Sequence, residues 1–549
     1  MTPSGHPWWR NAICYEIYVR SFADSDGDGV GDIRGATSRL DYLACLGVDA
    51  IWLTPFYRSP QADHGYDVAD YRDVDPLFGT LGDVDALLAQ AHQRGLRVIV
   101  DVVPNHSSDA HPWFVAALAA GPGGPERARY IFRDGRGRDG SEPPNNWESV
   151  FGGPAWTRVP DGQWYLHLFD SAQPDFDWSN PDVGDDFETT LRFWLDRGVD
   201  GFRIDVAHGM VKSEGLPDVS GPQSGSIDQA LSDSERPYWD QPGVHDVYRR
   251  WRRILADYPG DRMAIGEAWV STAEAMARYI RPDELQQTFN FHWLEAEWSA
   301  KEFRQVVADT FSAVDPVDAS PTWVLANHDV VRTVTRYGGG ATGLARARAA
   351  MLAMLALPGS AYLYQGDELG LAQVDVPAAD RRDPTWLRGG GVGRDGCRVP
   401  LPWTVGPTPY GFGPDGSTPW LPQPVGWGDL SVEAQDASSG STLGCVRAAL
   451  AMRRELVVGL DGRVEMLDLG EDVFAYHRRG PDGSPGLVCV LNAGSQSVDV
   501  SALGAVALSS GDLPASATGE RRASAKADGR DRDPFRGVLP PDTAAWLRP

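Results

Sequence analysis

The chain has 549 residues, of which 42% are hydrophobic and 23% are charged; these values predict globular domains and exclude collagen and coiled coil for most of its length. Its 50 basic and 76 acidic residues give a net charge of −26, which disfavours binding to nucleic acid or to anionic membranes. Because the five Cys residues lack CxxC spacing, neither a disulfide framework nor a zinc site is predicted.

The sequence also predicts where in the cell the protein is located. Its N-terminal residues show no apolar run behind a basic segment, so no secretory signal is predicted. The longest apolar run, residues 349–357, is too short to span a bilayer. We therefore expect a cytoplasmic protein with no membrane partner, and the oligomeric state is left open.

Short apolar runs flanked by turn residues alternate along the chain with longer amphipathic stretches, such as residues 83–93 and 344–355. This alternation is typical of βα units with a parallel sheet. Eight such runs predict an α/β fold with a closed (β/α)8 TIM barrel rather than an open sheet. The eight predicted strands are residues 15–19, 50–53, 97–103, 201–206, 263–267, 288–291, 323–326 and 361–364.

Two long segments interrupt this pattern. Residues 104–198 are rich in Gly, Pro, Asn and Trp and exceed the length of a normal βα loop, which predicts a small inserted domain after the third strand. Residues 371–429 are also irregular and should overhang the same end of the barrel. The predicted barrel comprises residues 1–106 and 178–460, with the inserted domain at 107–177.

The C-terminal part of the chain has a different pattern. After a last helix near residues 443–456, strand-like runs at 472–477 and 486–491 predict a separate antiparallel β-sandwich over residues 461–549. Residues 515–532 are small, polar and charged, which predicts a mobile loop.

Polar side chains follow several of the predicted strands at their C-terminal ends, where the active sites of such barrels lie. A single acid at a strand end is typical of a helix cap or a surface ion pair. Three carboxylates and two His on one rim instead indicate a cleft in which one carboxyl is protonated and another ionised, as glycoside hydrolysis requires. The three carboxylates are Asp205, Glu267 and Asp329, and the two His are His106 and His328. The same strand ends also carry Asp101, Asn105 and Arg203.

An acidic loop after the first predicted strand indicates a metal site. Acids alternate with other residues, and glycines allow a tight turn, as in an EF-hand, but the twelfth position is Gly35 rather than Glu. Oxygen ligands of this kind suit structural Ca²⁺, with Mg²⁺ as the alternative. The predicted ligands are the side chains of Asp24, Asp26, Asp28 and Asp32 and the carbonyl of Val30. The chain has no Walker or nucleophile-elbow motif, and no organic cofactor is predicted.

Several motifs together carry a family resemblance. The segments Asp101-Val-Val-Pro-Asn-His, Gly-Phe-Arg-Ile-Asp205, Gly-Glu267-Ala-Trp and Asn-His-Asp329 resemble the four signatures of the α-amylase family, glycoside hydrolase family 13. They occur in order between Trp8 and about Trp403. The resemblance implies retaining glycosidase chemistry on a small oligosaccharide.

Two further segments resemble the α-glucosidase and oligo-1,6-glucosidase branch of that family. They are Gln173-Pro-Asp-Phe-Asp-Trp, in which Phe176 and Asp177 replace the more usual Leu and Asn, and Arg394-Asp-Gly-Cys-Arg398. The segment Val206-Ala-His and the Lys-poor, Arg-rich composition resemble actinobacterial α-glucosidases.

The resemblance implies roles for the rim residues. Asp205 would be the nucleophile that forms a covalent glucosyl ester, kept ionised by Arg203. Glu267 would be the general acid and then the base. Asp329 would hold sugar hydroxyls as the ring flattens, with His106 and His328 donating hydrogen bonds to the sugar. Two such carboxyls in a retaining enzyme lie about 5–5.5 Å apart.

The resemblance also implies contacts to the terminal glucose. Tyr66 would stack beneath it, and Asp63 and Arg398 would clamp its hydroxyls. Phe169 and Gln173 would form pocket walls. Such a clamp closes the pocket at the non-reducing end and makes the enzyme exo-acting.

The expected activity is therefore that of an exo-acting retaining α-glucosidase on short α-glucosides such as maltose. An oligo-1,6-glucosidase acting on isomaltose is an alternative, because Val206 after the nucleophile is common in α-1,6-specific members. A transglucosylase that forms trehalose or isomers of sucrose is another, because a sugar can capture the same ester. A non-catalytic binding barrel is disfavoured, because such relatives typically lose the acids and gain a membrane helix.

Overall fold

The core of the fold is a closed barrel of parallel strands, as predicted, in a computed structural model that describes residues 6–221, 223, 236–438, 440–511 and 537–549. Within these residues, the eight barrel strands in chain order, β1 to β8, are Ile13–Ile17, Ala50–Leu53, Arg97–Val102, Gly201–Ile204, Met263–Gly266, Gln287–Thr288, Thr322–Val324 and Ser360–Tyr364.

Each barrel strand pairs in parallel with its neighbours in sequence order, and β8 pairs with both β1 and β7. The barrel closes between β6 and β7 through a parallel bridge between Asn290 and Trp323. The predicted (β/α)8 topology is therefore confirmed.

Strand alternation divides the apolar residues into two layers. Cys14, Trp52, Ile99 and Ile265 belong to a cluster that fills the barrel interior. The residues between them on the same strands, such as Ile51, belong to the larger cluster that packs against the surrounding helices. Since successive side chains point to opposite faces of a strand, the interior positions recur at every second residue.

The helices between the strands cover the outside of the barrel. The helix Leu81–Gln93 begins two residues earlier than predicted, because the side chain of Thr80 accepts a hydrogen bond from the Asp83 amide in a capping box. The other helices of six or more residues around the barrel are Ile33–Ser38, Leu40–Leu46, Pro181–Asp196, Val244–Ala256, Ala273–Arg278, Ala300–Val314, Gly340–Ala356 and Thr442–Met452.

The sixth strand differs from the prediction of residues 288–291. It ends at Thr288, and the helix Phe291–Glu295 starts three residues later, capped by the side chain of Asn290. Phe289 and Phe291 are apolar because they pack in the barrel interior, so their alternation extends a strand-like pattern beyond the strand itself.

The inserted region after β3 contains the helix Pro112–Ala120 and a three-stranded antiparallel sheet. The strands of this sheet are Phe132–Asp134, Trp156–Arg158 and Gln163–Leu166. Its buried residues form a cluster with Val206, which follows the end of β4. The insertion therefore packs against the C-terminal end of the barrel.

The C-terminal domain is an antiparallel β-sandwich, as predicted. Its core lies between a five-stranded sheet and the two-stranded sheet of Val498–Asp499 and Val538–Leu539. The strands of the larger sheet, in spatial order, are Glu465–Met466, Val473–Arg478, Leu487–Asn492, Thr543–Arg548 and Ala505–Ser509. The predicted mobile loop, residues 515–532, lies outside the described residues.

No helix of the described chain is both long and apolar enough to cross a membrane.

Trp546 joins the sandwich to the barrel. It is fully buried, and its indole donates a hydrogen bond to the Leu352 carbonyl in the helix Gly340–Ala356 at 3.0 Å. Trp546→Ala is expected to reduce the free energy of unfolding by about 3–5 kcal/mol, because it leaves a large cavity. Trp546→Phe retains most of the ring and should cost about 1–2 kcal/mol through the lost hydrogen bond. Thermal unfolding measures both, and equal midpoints for wild type and the Ala variant would contradict this packing.

Candidate functional site

A pocket opens at the C-terminal end of the barrel, between the barrel strands and the inserted domain. Eight of the predicted site residues line it: Asp63, Tyr66, His106, Phe169, Asp205, Glu267, His328 and Asp329. The pocket is also lined by residues that were not predicted to be site residues: Glu148, Val150, Phe151, Val206, His208, Tyr238, Trp239, Trp269 and Arg394. Arg203, Gln173 and Arg398 are buried and contact the lining residues.

Strand alternation orients the polar side chains at the base of the pocket. Asp101 lies two residues after the interior Ile99 on β3, and Glu267 lies two residues after the interior Ile265. The side chain of each therefore points toward the barrel axis, where the top layer of the interior is polar.

The buried guanidinium of Arg203 binds three carboxylates. Its Nη1 donates to Asp101 Oδ1 at 2.8 Å and to Asp205 Oδ1 at 2.6 Å. Its Nη2 lies 2.7 Å from Glu267 Oε2. One positive charge thus holds together three acids that are almost inaccessible to solvent.

Burial and neighbouring charges shift the pKa values of two of these acids, Asp101 and Asp205. Burial raises the pKa of Asp101 to about 6, with Arg203 opposing the rise. Burial also raises the pKa of Asp205 above its ordinary value; Arg203 acts against this, and the charges of Glu267 and Asp101 add to it. The carboxylates therefore compete for a single cation, which favours retention of a proton within the group.

Glu267 is held by three donors. Its Oε2 accepts from Arg203 and from the Val206 amide at 3.0 Å, and its Oε1 accepts from the Trp269 indole at 3.1 Å. Although β5 ends before Trp269, this indole stacks on Phe291 with ring centroids 3.8 Å apart. Trp269 therefore forms an apolar wall beside Glu267.

Arg394 joins two acids that line the pocket. Its Nη2 donates to Asp63 Oδ1 at 2.8 Å, and its Nη1 donates to Asp329 Oδ1 at 3.0 Å. Burial raises the pKa of Asp63 to about 6, and the charge of Arg394 opposes this rise. Arg398 was predicted to clamp sugar hydroxyls together with Asp63; in the structure Arg394, four residues earlier in the same segment, lines the pocket and reaches Asp63.

Arg398 has a different position. It is fully buried, and it donates from Nη2 to Asp329 Oδ1 at 2.7 Å and from Nε to the His328 carbonyl at 2.8 Å. Burial alone would raise the pKa of Asp329, but His328, Arg394 and Arg398 lower it well below its usual range. Asp329 is therefore ionised between two arginines.

Gln173 connects the two sides of the pocket. Its amide nitrogen lies 3.2 Å from Asp63 Oδ2 and 3.0 Å from His106 Nε2. Burial lowers the pKa of His106 to about 3, so this ring is neutral at physiological pH. Phe169 packs against the same ring, with centroids 5.1 Å apart.

Two aromatic residues between β4 and the next helix escaped the sequence analysis. Tyr238 and Trp239 line the pocket, and Trp239 packs against His208 with ring centroids 4.5 Å apart. They lie in a segment without periodic patterning, so the sequence offers only their aromatic character as a signal. Arg394 could have been found, because the motif that contains it was recognised and only Arg398 was singled out from it.

The structure brings three of the predicted metal ligands together. Oxygens of Asp24, Asp26 and Asp28 lie within 4.8 Å of one another, and carboxylate oxygens are donors that suit Ca²⁺ or Mg²⁺. Burial raises the pKa of Asp28, and the charges of Asp26 and Asp24 add to the rise. Val30 lies in the same loop, where its amide donates to Asp28 Oδ1 at 2.8 Å.

Asp32 lies outside this group of three acids. Its Oδ1 accepts from the Gly35 amide at 2.7 Å, which caps the helix Ile33–Ser38, and its Oδ2 accepts from the Ser25 amide at 2.7 Å. Gly29 in the same loop has φ +91°, and a Cβ there would lie 2.1 Å from the Thr418 carbonyl. The loop therefore requires glycine where it meets the long segment 371–429.

Comparisons with known proteins identify the kind of site. The sequence profile of the family described as "Alpha amylase, catalytic domain" matches residues 16–459. A probable α-glucosidase of Rhizobium meliloti is 36% identical over 500 residues, covering 88% of this chain and 89% of that protein. An oligo-1,6-glucosidase of Parageobacillus thermoglucosidasius is 34% identical over 521 residues, covering 88% and 90%.

Solved structures extend the comparison. The crystal structure of XgtA, an α-glucosyl transfer enzyme, has a TM-score of 0.83 and 36% identity, covering 99% of this chain and 100% of that one. Other similar proteins are a maltase, a trehalose-6-phosphate hydrolase and a trehalulose synthase.

Proposed function

The chain belongs to the α-amylase family of glycoside hydrolases, and from this premise we propose that it is an exo-acting retaining α-glucosidase. It would remove glucose from the non-reducing end of short α-glucosides such as maltose. The observation that carries the proposal is the pair Asp205 and Glu267, bound to one guanidinium at the base of a pocket. Two carboxyls that share one guanidinium fit the close separation of about 5–5.5 Å that retaining chemistry needs.

The proposed reaction has two displacements. Asp205 attacks the anomeric carbon, the glycosidic C–O bond breaks, and Glu267 gives its proton to the leaving oxygen. Glu267 then takes a proton from water, and the oxygen of that water displaces Asp205 from the ester. Because Glu267 Oε2 accepts from two donors and Oε1 from the Trp269 indole alone, we assign the transferable proton to Oε1.

The Asp63–Arg394 pair supports exo action and short substrates. Both members line the pocket, and they would contact hydroxyls of a terminal glucose bound there. Arg394 is the sole Arg or Lys among the described lining residues, and carboxylates of Asp63, Asp329 and Asp383 already engage it. Exposed Glu148 adds a negative group. Neutral disaccharides therefore fit better than the phosphorylated sugar named for the trehalose-6-phosphate hydrolases.

The preferred linkage is proposed from the residues that follow the nucleophile. Val206 follows the proposed nucleophile Asp205 in the sequence, and it lines the pocket. In this branch that residue type is common in α-1,6-specific members, whereas the following Ala207 and His208 depart from their usual pattern. We propose maltose as the better substrate and isomaltose as the poorer one. The likeness to actinobacterial enzymes and the cytoplasmic location stay predictions.

Transglucosylation is the second candidate. Its support is the likeness to the α-glucosyl transfer enzyme and to the trehalulose synthase. The same ester would be captured by a sugar hydroxyl held against the aromatic pair Tyr238 and Trp239. The ratio of transfer products to free glucose distinguishes the two outcomes.

We also propose that the acidic loop binds Ca²⁺, with Mg²⁺ as the alternative. Its three clustered carboxylates would repel one another without a cation, and the loop is hydrogen-bonded to the segment that carries Arg394. The cation would act on stability rather than in the reaction. Asp24, Asp26 and Asp28 would hold it, with Val30 and Asp32 as further candidates.

Substitution of the two proposed catalytic acids tests the mechanism. Glu267→Gln should lower kcat by about 10²–10⁴-fold, and Asp205→Ala should lower it at least as far. Azide added to the Ala variant should react directly with an α-glucoside and give β-glucosyl azide, because the nucleophile's position is vacated.

The measurement is the activity of each variant on maltose, isomaltose, sucrose and trehalose, with the products separated. Asp85→Ala, at a surface ion pair, is the matched control. Hydrolysis retained by Asp205→Ala would overturn the assignment.

Asp101→Asn should move the acid limb of kcat/KM to lower pH. The negative charge of Asp101 raises the pKa of Asp205, and its loss also leaves Arg203 to the remaining acids. The nucleophile then stays ionised further into acid. A pH–rate profile on maltose measures the shift, with Asp85→Asn as control. An acid limb that stays at the same pH or moves to higher pH would contradict the effect of the Asp101 charge on the pKa of Asp205, whatever the fall in absolute rate.

Chelation tests the metal proposal. EDTA should lower the melting temperature and added Ca²⁺ restore it, since a cation at about 100 times its dissociation constant stabilises the fold by about 2.7 kcal/mol. The Asp26→Ala variant should have the same melting temperature in EDTA and in Ca²⁺. A parallel titration with Mg²⁺ compares how far each ion raises the melting temperature of the wild type. Wild-type protein that is indifferent to EDTA and to both ions would refute the site.

A further inference from the structure

Glu16 is a buried carboxyl beneath the pocket with no part in the mechanism above. It lies on β1 two residues after the interior Cys14, so alternation turns it toward the barrel axis. Its Oε1 contacts Nδ1 of His328, and both side chains are almost fully buried. The other ring nitrogen of His328, Nε2, lies 2.8 Å from Tyr66 OH and 3.3 Å from Asp329 Oδ2.

Donors around Asp101 fix the proton of Tyr66. Asp101 Oδ1 accepts from Arg203, and Oδ2 accepts from the Trp52 indole at 3.2 Å, so both oxygens face groups that can only donate. Tyr66 OH lies 3.1 Å from the same Oδ2 and gives its single proton there. The oxygen of Tyr66 must then accept from His328, which places a proton on Nε2.

Asp329 requires the same proton position. Its Oδ1 accepts from Arg394 and Arg398, so the carboxylate is ionised, and its Oδ2 faces His328 Nε2. A lone pair on Nε2 would face two oxygen acceptors at once. The tautomer with Nε2–H is therefore the one that satisfies both Tyr66 and Asp329.

Nδ1 then has one of two states. In a neutral ring it is an acceptor and needs a donor from Glu16; in a charged ring it donates to a Glu16 carboxylate. Burial lowers the pKa of His328, with Asp329 opposing and the three nearby arginines adding to the fall. Burial raises the pKa of Glu16, with Arg203 opposing and Asp329, Asp101 and Asp367 adding to the rise. The neutral pair is thus the favoured state.

We propose that Glu16 is a positioning residue that carries its proton and donates it in a hydrogen bond to Nδ1 of His328, so holding that ring in the Nε2–H tautomer. In this state Nε2–H donates to Tyr66 and faces Asp329, and so fixes two side chains that line the pocket. The inference rests on the proposed α-glucosidase function, because the kinetic consequence requires Tyr66 and Asp329 to contact substrate.

The test separates a donor from a charge. Glu16→Gln keeps a donor, since its amide N–H can replace the carboxyl O–H, whereas Glu16→Leu keeps the volume and removes the donor. The Gln variant should retain kcat on maltose within about twofold. In the Leu variant kcat should fall by about tenfold or more, which is the size of loss seen when the partner that orients a metal-binding His is removed. Equal losses in Gln and Leu would point to an ion pair and overturn the proposal. Full activity in Leu would overturn it as well.

A matched control is available. Glu284 is a buried carboxyl 2.7 Å from Nδ1 of His245, outside the residues that line the pocket. Glu284→Leu removes this His contact together with the ion pairs to Arg249 and Arg281, and it should leave kcat of the folded protein unchanged. A fall in kcat equal to that of Glu16→Leu would mean that the loss is structural.

The tautomer itself is measured without turnover. In protein labelled with ¹⁵N-histidine, the His328 signals, assigned by their absence in His328→Gln, should show a protonated Nε2 and an unprotonated Nδ1 in wild type and in Glu16→Gln. A protonated Nδ1 would overturn the inference, and this readout stands even if Glu16→Leu does not fold. Wild-type protein inactive on all four disaccharides would instead overturn the proposed function and leave the tautomer test intact.

Discussion

The buried guanidinium of Arg203 is the interaction on which the site depends. Isolated carboxylates at the base of a nearly dry pocket would protonate or draw in water, because the cost of burying unpaired charge is large. With Asp101, Asp205 and Glu267 all bound to one cation, the acids are close together and carry more negative charge than the cation neutralises. That imbalance is useful for glycoside hydrolysis, in which one carboxyl must attack and another must hold a proton.

The barrel supplies these groups through strand parity. The interior positions are apolar in the lower layers, as at Cys14 and Ile265, and become polar two residues further along the same strands, at Glu16 and Glu267. The lower layers keep the strands in register, and the top layer then holds side chains from different strands within hydrogen-bonding distance. Proton positions at His328 follow from the same layer, since its two ring nitrogens face Glu16 on one side and Tyr66 on the other.

Sequence reasoning predicted the features that follow from period and motif. The eight strands and the rim acids could be found because short, continuous apolar runs between turn residues end in polar residues. It failed where no period constrains the chain. The sixth strand was extended to Phe291 because apolar residues there serve the barrel interior from a loop and a helix. Arg394 was not singled out as the partner of Asp63, because spacing cannot decide which of two arginines reaches that residue. Asp32 stays a predicted ligand, and the structure adds that its side chain caps a helix.

The long irregular segment 371–429 connects the acidic loop to the pocket, although the two are separate sites. Asp24 donates its amide to the Phe412 carbonyl at 2.7 Å, and Gly29 accepts from the Trp420 amide at 2.9 Å. The same segment carries Arg394 to Asp63. Its helices are all short, namely Pro384–Leu387, Asp395–Cys397 and Trp427–Leu430, so its path depends on such anchors. A cation that orders the acidic loop would therefore stabilise the anchor of the segment that closes the pocket, which links an ion remote from the reaction to substrate binding through backbone contacts alone.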